Sequence, residues 1–136
     1  IEWMRAARYT QAIGIEPRAD RRSMAGQNAM ALGTPKLELV DGTAPAALQG
    51  LALPDAIFVG GGLTDGVFDM AWRALKPLGR FVSNAVTLES EEILLGLHDK
   101  YGGELARLAV TRAEPVGPYR GWRPSMPVTQ WSLIKR

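Results

Sequence analysis

The chain has 136 residues, of which 46% are hydrophobic and 22% are charged, the balance of one globular domain. It contains no cysteine and a single histidine, His98. These counts exclude a disulfide framework, a thiolate or multi-histidine metal site and a cysteine nucleophile within this chain. No apolar run reaches the ~18 residues of a transmembrane helix, and the first residues lack the long apolar region of a signal peptide. We therefore expect no membrane contact and a cytoplasmic location.

Charge is distributed unevenly along the chain. The formal net charge is +2, but residues 1–104 carry ten basic and thirteen acidic side chains, whereas residues 105–136 carry six basic and one acidic. Twelve of the sixteen cations are arginines, whose planar guanidinium groups suit carboxylates and phosphates. The basic segment is either a solvated rim or a binding surface for a polyanion. Nucleic acid is disfavoured because no dense Lys/Arg stripe with interleaved aromatic residues occurs.

The apolar pattern predicts strands that alternate with helices. Helices are expected at residues 1–8, 19–32, 65–76 and 87–103, and strands at 11–16, 36–40, 55–62 and 80–86. Residues 107–115 and 128–136 are predicted to be the two arms of a final hairpin, joined by a Gly-, Pro- and Arg-rich loop over 116–127. This order indicates an α/β fold with a mostly parallel sheet and helices on both faces.

Ligands of such sheets bind beyond the carboxyl ends of the strands. The residues that follow the predicted strands are Glu16, the Asp41–Ala44 turn, Gly60–Gly62 and Asn84–Thr87. An acid in the place of Glu16 can accept hydrogen bonds from both hydroxyls of a ribose. The alternative is a solvated carboxylate beside Arg18 and Arg21.

The other strand-end features also have two interpretations each. The three glycines allow close approach of a ligand to the backbone, or they are a simple turn before the helix that starts near Asp65. The turn at 41–44 can face an adenine edge, or it is ordinary turn chemistry. Glu89, Glu91 and Glu92 suit the first turn of a helix, and His98 suits the end of the same helix.

Several segments resemble a known family. The segments "DGTAPAAL", "DAIFVGGG", "RFVSNAVTLESE" and "EPVGPYRGWRPSMPVTQWS" together resemble the C-terminal domain of the decarboxylating precorrin-6Y methyltransferases of cobalamin biosynthesis. "LKPLGRFV" resembles the "LKPGGR" turn before the fifth strand of class I S-adenosylmethionine-dependent methyltransferases, with a leucine for the first glycine. The likeness runs from about Ile13 to Ser132.

The resemblance implies a seven-stranded Rossmann-like sheet with an antiparallel final strand and S-adenosylmethionine as methyl donor. It also implies methylation of carbon 15 of a tetrapyrrole with loss of the ring C acetate as carbon dioxide. Glu16 matches the acid that holds the cofactor ribose. Gly42, Thr43 and Ala44 match the turn that faces adenine, although many relatives have an acid in place of Thr43. Gly60 and Gly61 match the floor beneath the cofactor.

In this family the first strand and its glycine-rich cofactor loop precede the position of Ile1. We therefore expect residues 1–136 to be a single methyltransferase domain that is incomplete at its N-terminus. The intact mass of the natural protein tests this expectation. The resemblance further implies a homotetramer and allows fusion to an upstream methyltransferase domain.

A tetrapyrrole substrate carries many carboxylates, which the basic C-terminal segment can bind. Arg112, Arg120 and Arg123 are the predicted partners of those carboxylates, with Tyr119 and Trp122 as flat contact surfaces. Asn84 and Glu89 are predicted pocket residues at the end of the strand predicted at 80–86, which matches the fifth strand of the family. Three alternatives remain: a class I methyltransferase for another anionic small molecule, a nicotinamide-dependent reductase, and a non-catalytic Rossmann-like module.

Overall fold

The computed structural model describes residues 1–44 and 46–136. The chain divides into two compact units, Ile1–Leu51 and Ala52–Arg136. We refer to them as the first and the second unit.

The first unit is built around two short parallel strands. Its elements in chain order are α1 (Glu2–Ala6), β1 (Ile13–Ile15), α2 (Ala19–Ala31), β2 (Glu38–Val40) and a 3₁₀ turn (Ala46–Leu48). The pairing of Ile13 with Glu38 and of Ile15 with Val40 places the two strand ends side by side. The predicted helices and strands of this region are confirmed. Pro45, which follows the predicted turn at 41–44, lies outside the described residues.

Helix α2 ends where the sequence predicts. Gly33 adopts a φ of +76°, which favours glycine, and its N–H donates to the carbonyl of Met30. The buried Thr34 hydroxyl then donates to the Ala29 carbonyl at 3.3 Å. The Thr34 N–H donates to the same Ala29 carbonyl at 2.8 Å, so two of the last carbonyls of the helix have partners beyond it.

The second unit contains a four-stranded sheet. Its elements are β3 (Ala56–Val59), α3 (Asp65–Ala74), β4 (Arg80–Ala85), α4 (Leu88–Tyr101), β5 (Glu104–Leu108), β6 (Thr111–Val116), β7 (Tyr119–Pro124) and β8 (Val128–Ile134). The strand order in the sheet is β3-β4-β8-β5. Strands β3 and β4 are parallel, whereas β8 runs antiparallel to both of its neighbours, as expected for the final strand.

The core of the second unit lies between one face of this sheet and both of its helices. Phe68 of α3 is completely buried, and its ring centroid lies 4.9–5.6 Å from those of four other aromatic rings, Trp72, Phe81, Tyr101 and Trp131. The apolar faces of α3 and α4 pack into this core through Val67, Ala71, Leu94 and Leu97, and Leu75, the residue after α3, packs with them. The opposite sheet face carries Asn84 and Gln130, which are half-buried.

The loop predicted over 116–127 is wrong in the structure. Strands β6 and β7 form their own antiparallel hairpin, which turns at Gly117 and Pro118. The predicted arm 107–115 is consequently broken: its first part, β5, pairs with β8, and its second part pairs with β7. The register Val116–Tyr119 leaves a two-residue connection with Gly117 at a φ of +58°, typical of tight hairpin turns.

Candidate functional site

In the first unit, Glu16 lies directly after β1 and its carboxylate is held in place. Its Oε1 accepts the backbone N–H of Arg18 at 2.9 Å, and its Oε2 lies 3.9 Å from Nη1 of Arg21. The side chain retains 27% of its exposure. A carboxylate has about four lone-pair sites, so these contacts leave acceptors for a ligand. The interpretation of Glu16 as a carboxylate beside Arg18 and Arg21 describes these contacts, and its ribose-binding interpretation stays a prediction.

Arg22 joins the ends of β1 and β2, a role that the sequence analysis missed. Its Nη1 donates to the carbonyls of Glu16 and Pro17 at 2.7 Å, and its two terminal nitrogens form a bidentate pair with Asp41 at 2.8 and 3.0 Å. Glu16 and Asp41 each follow one of two strands that are paired in register, so Arg22 links the backbone after β1 to the carboxylate after β2. The available signal for Arg22 was the acid Asp41 at a strand end, because arginine pairs with a carboxylate through two parallel hydrogen bonds.

The turn after β2 is shaped around Gly42. A Cβ at this glycine would lie 2.9 Å from Cβ of Ala47, and its φ is +150°. The Thr43 carbonyl accepts the N–H of Ala47 at 3.0 Å, while the side chains of Thr43 and Ala44 are exposed. The turn therefore leaves Thr43 and Ala44 accessible to a ligand.

The pair at the start of α2 is an exposed electrostatic feature. Arg18 donates to both carboxylate oxygens of Asp20, at 3.1 and 2.7 Å. The hydrogen bond from Arg18 holds the pKa of the Asp20 carboxyl below its ordinary value, and the same bond raises the pKa of Arg18.

In the second unit, three glycines connect β3 to α3. Gly62 has a φ of +72°, so the backbone itself explains that glycine. Gly61 differs: a Cβ there would meet no described atom within 4 Å, and its backbone is not in the left-handed region. Gly60 would place a Cβ 3.1 Å from Cε1 of Phe58. Internal packing therefore accounts for Gly60 in part and leaves Gly61 unexplained.

A groove of about 250 Å³ lies at the carboxyl end of β4. Its polar lining residues are Asn84, Arg112, Ser125 and Gln130, and the remaining four are apolar. The Gln130 amide donates to Oδ1 of Asn84 at 2.9 Å, and Nη1 of Arg112 donates to the Ser125 hydroxyl at 3.5 Å. Asn84, a predicted pocket residue, and Arg112, a predicted partner of substrate carboxylates, therefore line the same groove.

The second predicted pocket residue, Glu89, is exposed in the first turn of α4 and does not line this groove. The acid of that turn with defined contacts is Glu91, which the sequence analysis assigned to the helix dipole. Glu91 pairs with Nη2 of Arg107 and accepts the Thr129 hydroxyl at 3.2 Å, while Thr129 accepts Nε of Arg107 at 3.2 Å. This closed triangle ties the start of α4 to β5 and β8.

The β6–β7 hairpin separates the predicted substrate-binding residues. Residues directly opposite each other in a ladder share a face, and every second residue of a strand returns to that face. Arg112 lies opposite Arg123, and Val116, four residues after Arg112, lies opposite Tyr119. Arg112, Tyr119 and Arg123 therefore share one face. Arg120 pairs with Pro115 and alternates with Arg123 along β7, so it lies on the opposite face, which it shares with Trp122.

Within the part of the chain that the structure describes, no helix combines the length and apolar character needed to cross a membrane.

The profile of the precorrin methyltransferase domain family matches residues 1–135. A precorrin-6Y C(5,15)-methyltransferase (decarboxylating) from Sinorhizobium sp is 52% identical over 136 residues, which cover 99% of this chain and 33% of that protein. The chain thus spans about a third of the length of the curated relatives that it matches.

Two solved structures share the fold. The C-terminal domain of precorrin-6Y C5,15-methyltransferase from Rhodobacter capsulatus is 48% identical with a TM-score of 0.83, over 92% of this chain and 68% of that one. A precorrin-6Y C5,15-methyltransferase domain from Corynebacterium diphtheriae is 39% identical with a TM-score of 0.88, over 99% of this chain and 80% of that one. These matches confirm the predicted Rossmann-like class I methyltransferase fold. The chain belongs to the precorrin methyltransferase domain family.

Proposed function

We propose that this chain is an S-adenosylmethionine-dependent methyltransferase domain that acts on a precorrin tetrapyrrole in cobalamin biosynthesis. The proposed reaction methylates carbon 15 and removes the ring C acetate as carbon dioxide. The observation that carries the proposal is the Glu16 carboxylate, held at a parallel strand end with acceptors to spare, in a chain of this family. The named relatives, which are decarboxylating precorrin-6Y methyltransferases, support the choice of substrate.

The residues of the first unit fit a bound nucleoside. Glu16 would accept the ribose hydroxyls, because Arg18 and Arg21 leave part of its carboxylate open. The turn at Gly42, Thr43 and Ala44 would face the adenine, and no larger residue could replace Gly42 without displacing Ala47. Arg22 positions this edge through its bonds to the Glu16 carbonyl and to Asp41.

The residues of the second unit fit a close ligand as well. The open space above Gly61 is expected where a ligand approaches the backbone. We therefore assign Gly60 and Gly61 to the cofactor floor. S-adenosylmethionine, when bound, supplies an electrophilic methyl group.

The chain's own contribution to the reaction is to bind, orient and exclude water. Arg112, Tyr119 and Arg123 present guanidinium groups and a flat ring on one hairpin face, which suits a macrocycle bearing carboxylates. An electron-rich tetrapyrrole carbon would attack the methyl group without a strong base, while the C–S bond of the donor breaks and its electron pair stays on sulfur. On loss of carbon dioxide the electron pair of the broken C–C bond would enter the conjugated ring, and the carbon that remains on ring C would then take up a proton from solvent. Asn84, in the groove at the end of β4, remains the proposed pocket residue. Glu89 does not line that groove, and its contact with substrate stays a prediction. For Arg120, substrate contact stays a prediction.

Calorimetric titration of the natural full-length protein tests the proposal, with S-adenosylhomocysteine and NAD as separate ligands. We expect binding of S-adenosylhomocysteine and no binding of NAD. Glu16→Gln should weaken that binding about tenfold, because charge-assisted hydrogen bonds to the ribose are lost. The matched control Asp20→Asn removes the same charge nearby and should change the affinity by less than about twofold. Binding of NAD in place of S-adenosylhomocysteine would favour the reductase alternative and contradict the proposal.

Homotetramer formation also remains a prediction from the family, and multi-angle light scattering of the natural protein tests it.

A further inference from the structure

The groove at the carboxyl end of β4 is rich in hydrogen-bond donors. The Oδ1 atom of Asn84 accepts from Gln130, so the Asn84 amide directs its own N–H groups elsewhere. The Ser125 hydroxyl oxygen accepts from Arg112, which leaves its proton available. Arg112 itself has five N–H donors. No acidic side chain is among the described residues that line this groove.

The charge of Arg112 is not neutralised locally. On the same hairpin face, Nε of Arg123 lies 3.1 Å from Oε2 of Glu114, so that arginine already has a carboxylate partner. For Arg112, no carboxylate oxygen lies within 4.0 Å in residues 1–44 and 46–136, and its polar contact is the neutral Ser125 hydroxyl. A guanidinium without an acid, next to amide and hydroxyl donors, forms a site for a carboxylate.

The apolar lining limits what else the groove accepts. Leu108, Val110, Met126 and Val128 supply its remaining walls, of which Leu108, Val110 and Met126 are exposed. They offer apolar contact area to the arm that carries an anion bound beside Arg112. The groove therefore combines one cation with apolar walls, which suits a carboxylate carried on a short aliphatic arm of a larger apolar ring.

We propose that this groove binds one side-chain carboxylate of the tetrapyrrole, with Arg112 as its ionic partner and Asn84 and Ser125 as further donors. The inference rests on the proposed function for the identity of the ligand. It goes beyond that function because it selects Arg112 from the arginines of the basic segment.

Two stable porphyrins serve as probes of this subsite. Uroporphyrin III carries acetate and propionate arms, and in coproporphyrin III methyl groups replace the acetates. Their dissociation constants are measured by fluorescence quenching on the natural full-length protein with S-adenosylhomocysteine present. Arg112→Gln should raise the constant for uroporphyrin about fivefold. The matched control is Arg80→Gln, because Arg80 is exposed at the start of β4, ~13 Å along the strand from Asn84. The control should stay within about twofold of the wild type.

The pattern across the two probes decides the outcome. A rise for uroporphyrin alone supports the groove as an acetate subsite, and a rise for both porphyrins supports it as a propionate subsite. Equal constants for Arg112→Gln and the wild type overturn the inference, and so does an equal rise in Arg80→Gln. A protein that binds S-adenosylhomocysteine but neither porphyrin also overturns it. Failure to bind S-adenosylhomocysteine contradicts the proposed function instead, while the ratio of porphyrin constants still decides the groove.

Discussion

The triangle formed by Glu91, Arg107 and Thr129 should stabilise the second unit measurably. Thr129 is 5% exposed, and Glu91→Ala removes the acceptor of its hydroxyl, at a cost of ~1–3 kcal/mol for a buried group left without its partner. The lost ion pair with Arg107, whose side chain is 61% exposed, adds ~0.2–1 kcal/mol. We therefore expect Glu91→Ala to lower the free energy of unfolding by about 2 kcal/mol.

A matched variant separates this network from the helix dipole. Glu89 occupies the same first turn of α4, but its exposed side chain forms no ion pair or hydrogen bond with a described residue, so Glu89→Ala should cost only ~0.3–1 kcal/mol. Thr129→Val should cost ~1 kcal/mol alone, and less in the Glu91→Ala background, because both changes remove the same bond. Urea unfolding followed by tryptophan fluorescence measures all four variants. Equal losses for Glu91→Ala and Glu89→Ala, or strict additivity, would refute the reasoning.

Three further predictions concern the buried core of the second unit, two of its glycines and the dependence of stability on low pH. Phe68→Ala should lower the unfolding free energy by ~3–5 kcal/mol in urea titrations, because the ring is completely buried among four others. Gly61→Ala should leave the melting temperature unchanged but weaken S-adenosylhomocysteine binding in calorimetry. Gly103→Ala should lower the melting temperature strongly, because a Cβ at Gly103 would lie 2.5 Å from the Ser132 carbonyl oxygen. The hydrogen bond from Arg18 lowers the pKa of Asp20 in the folded state. The ionised Asp20 therefore stabilises the fold fully above its unfolded pKa, and this stabilisation is lost as the pH falls through its folded pKa. The melting temperatures of the wild type and of Asp20→Asn should consequently converge at low pH.

Local patterns predicted the elements whose burial is periodic. Val67, Phe68, Ala71 and Leu75 recur at helical spacing, and all four side chains are buried, the first three in α3 and Leu75 directly after it. The Thr64 hydroxyl accepts the N–H of Val67 at 3.2 Å, and this N-cap marks where α3 begins. Such features depend on neighbours in sequence, which is why they can be predicted without the fold.

The β6–β7 hairpin was missed because its composition is that of a loop. Its strands contain Pro115 and Pro124, and Gly117 and Pro118 form its turn. Prolines disfavour central strands but are tolerated where a strand has an open side, and this hairpin pairs on one side of each strand.

Long-range side-chain contacts could not be predicted because they depend on register. The sequence predicts residues 107 and 129 on opposite arms of a hairpin, but the Glu91 contacts depend on the exact pairing of Arg107 with Thr129. A shift of one residue would turn Thr129 to the other face. The same holds for the hairpin, where register places Arg112 with Arg123 and separates both from Arg120.

The most direct measurement is a crystal structure of the natural protein with S-adenosylhomocysteine. Both ribose hydroxyls should then lie within about 2.5–3.0 Å of the Glu16 carboxylate oxygens. A nucleoside bound elsewhere, with the Glu16 carboxylate still contacting only Arg18 and Arg21, would contradict the account.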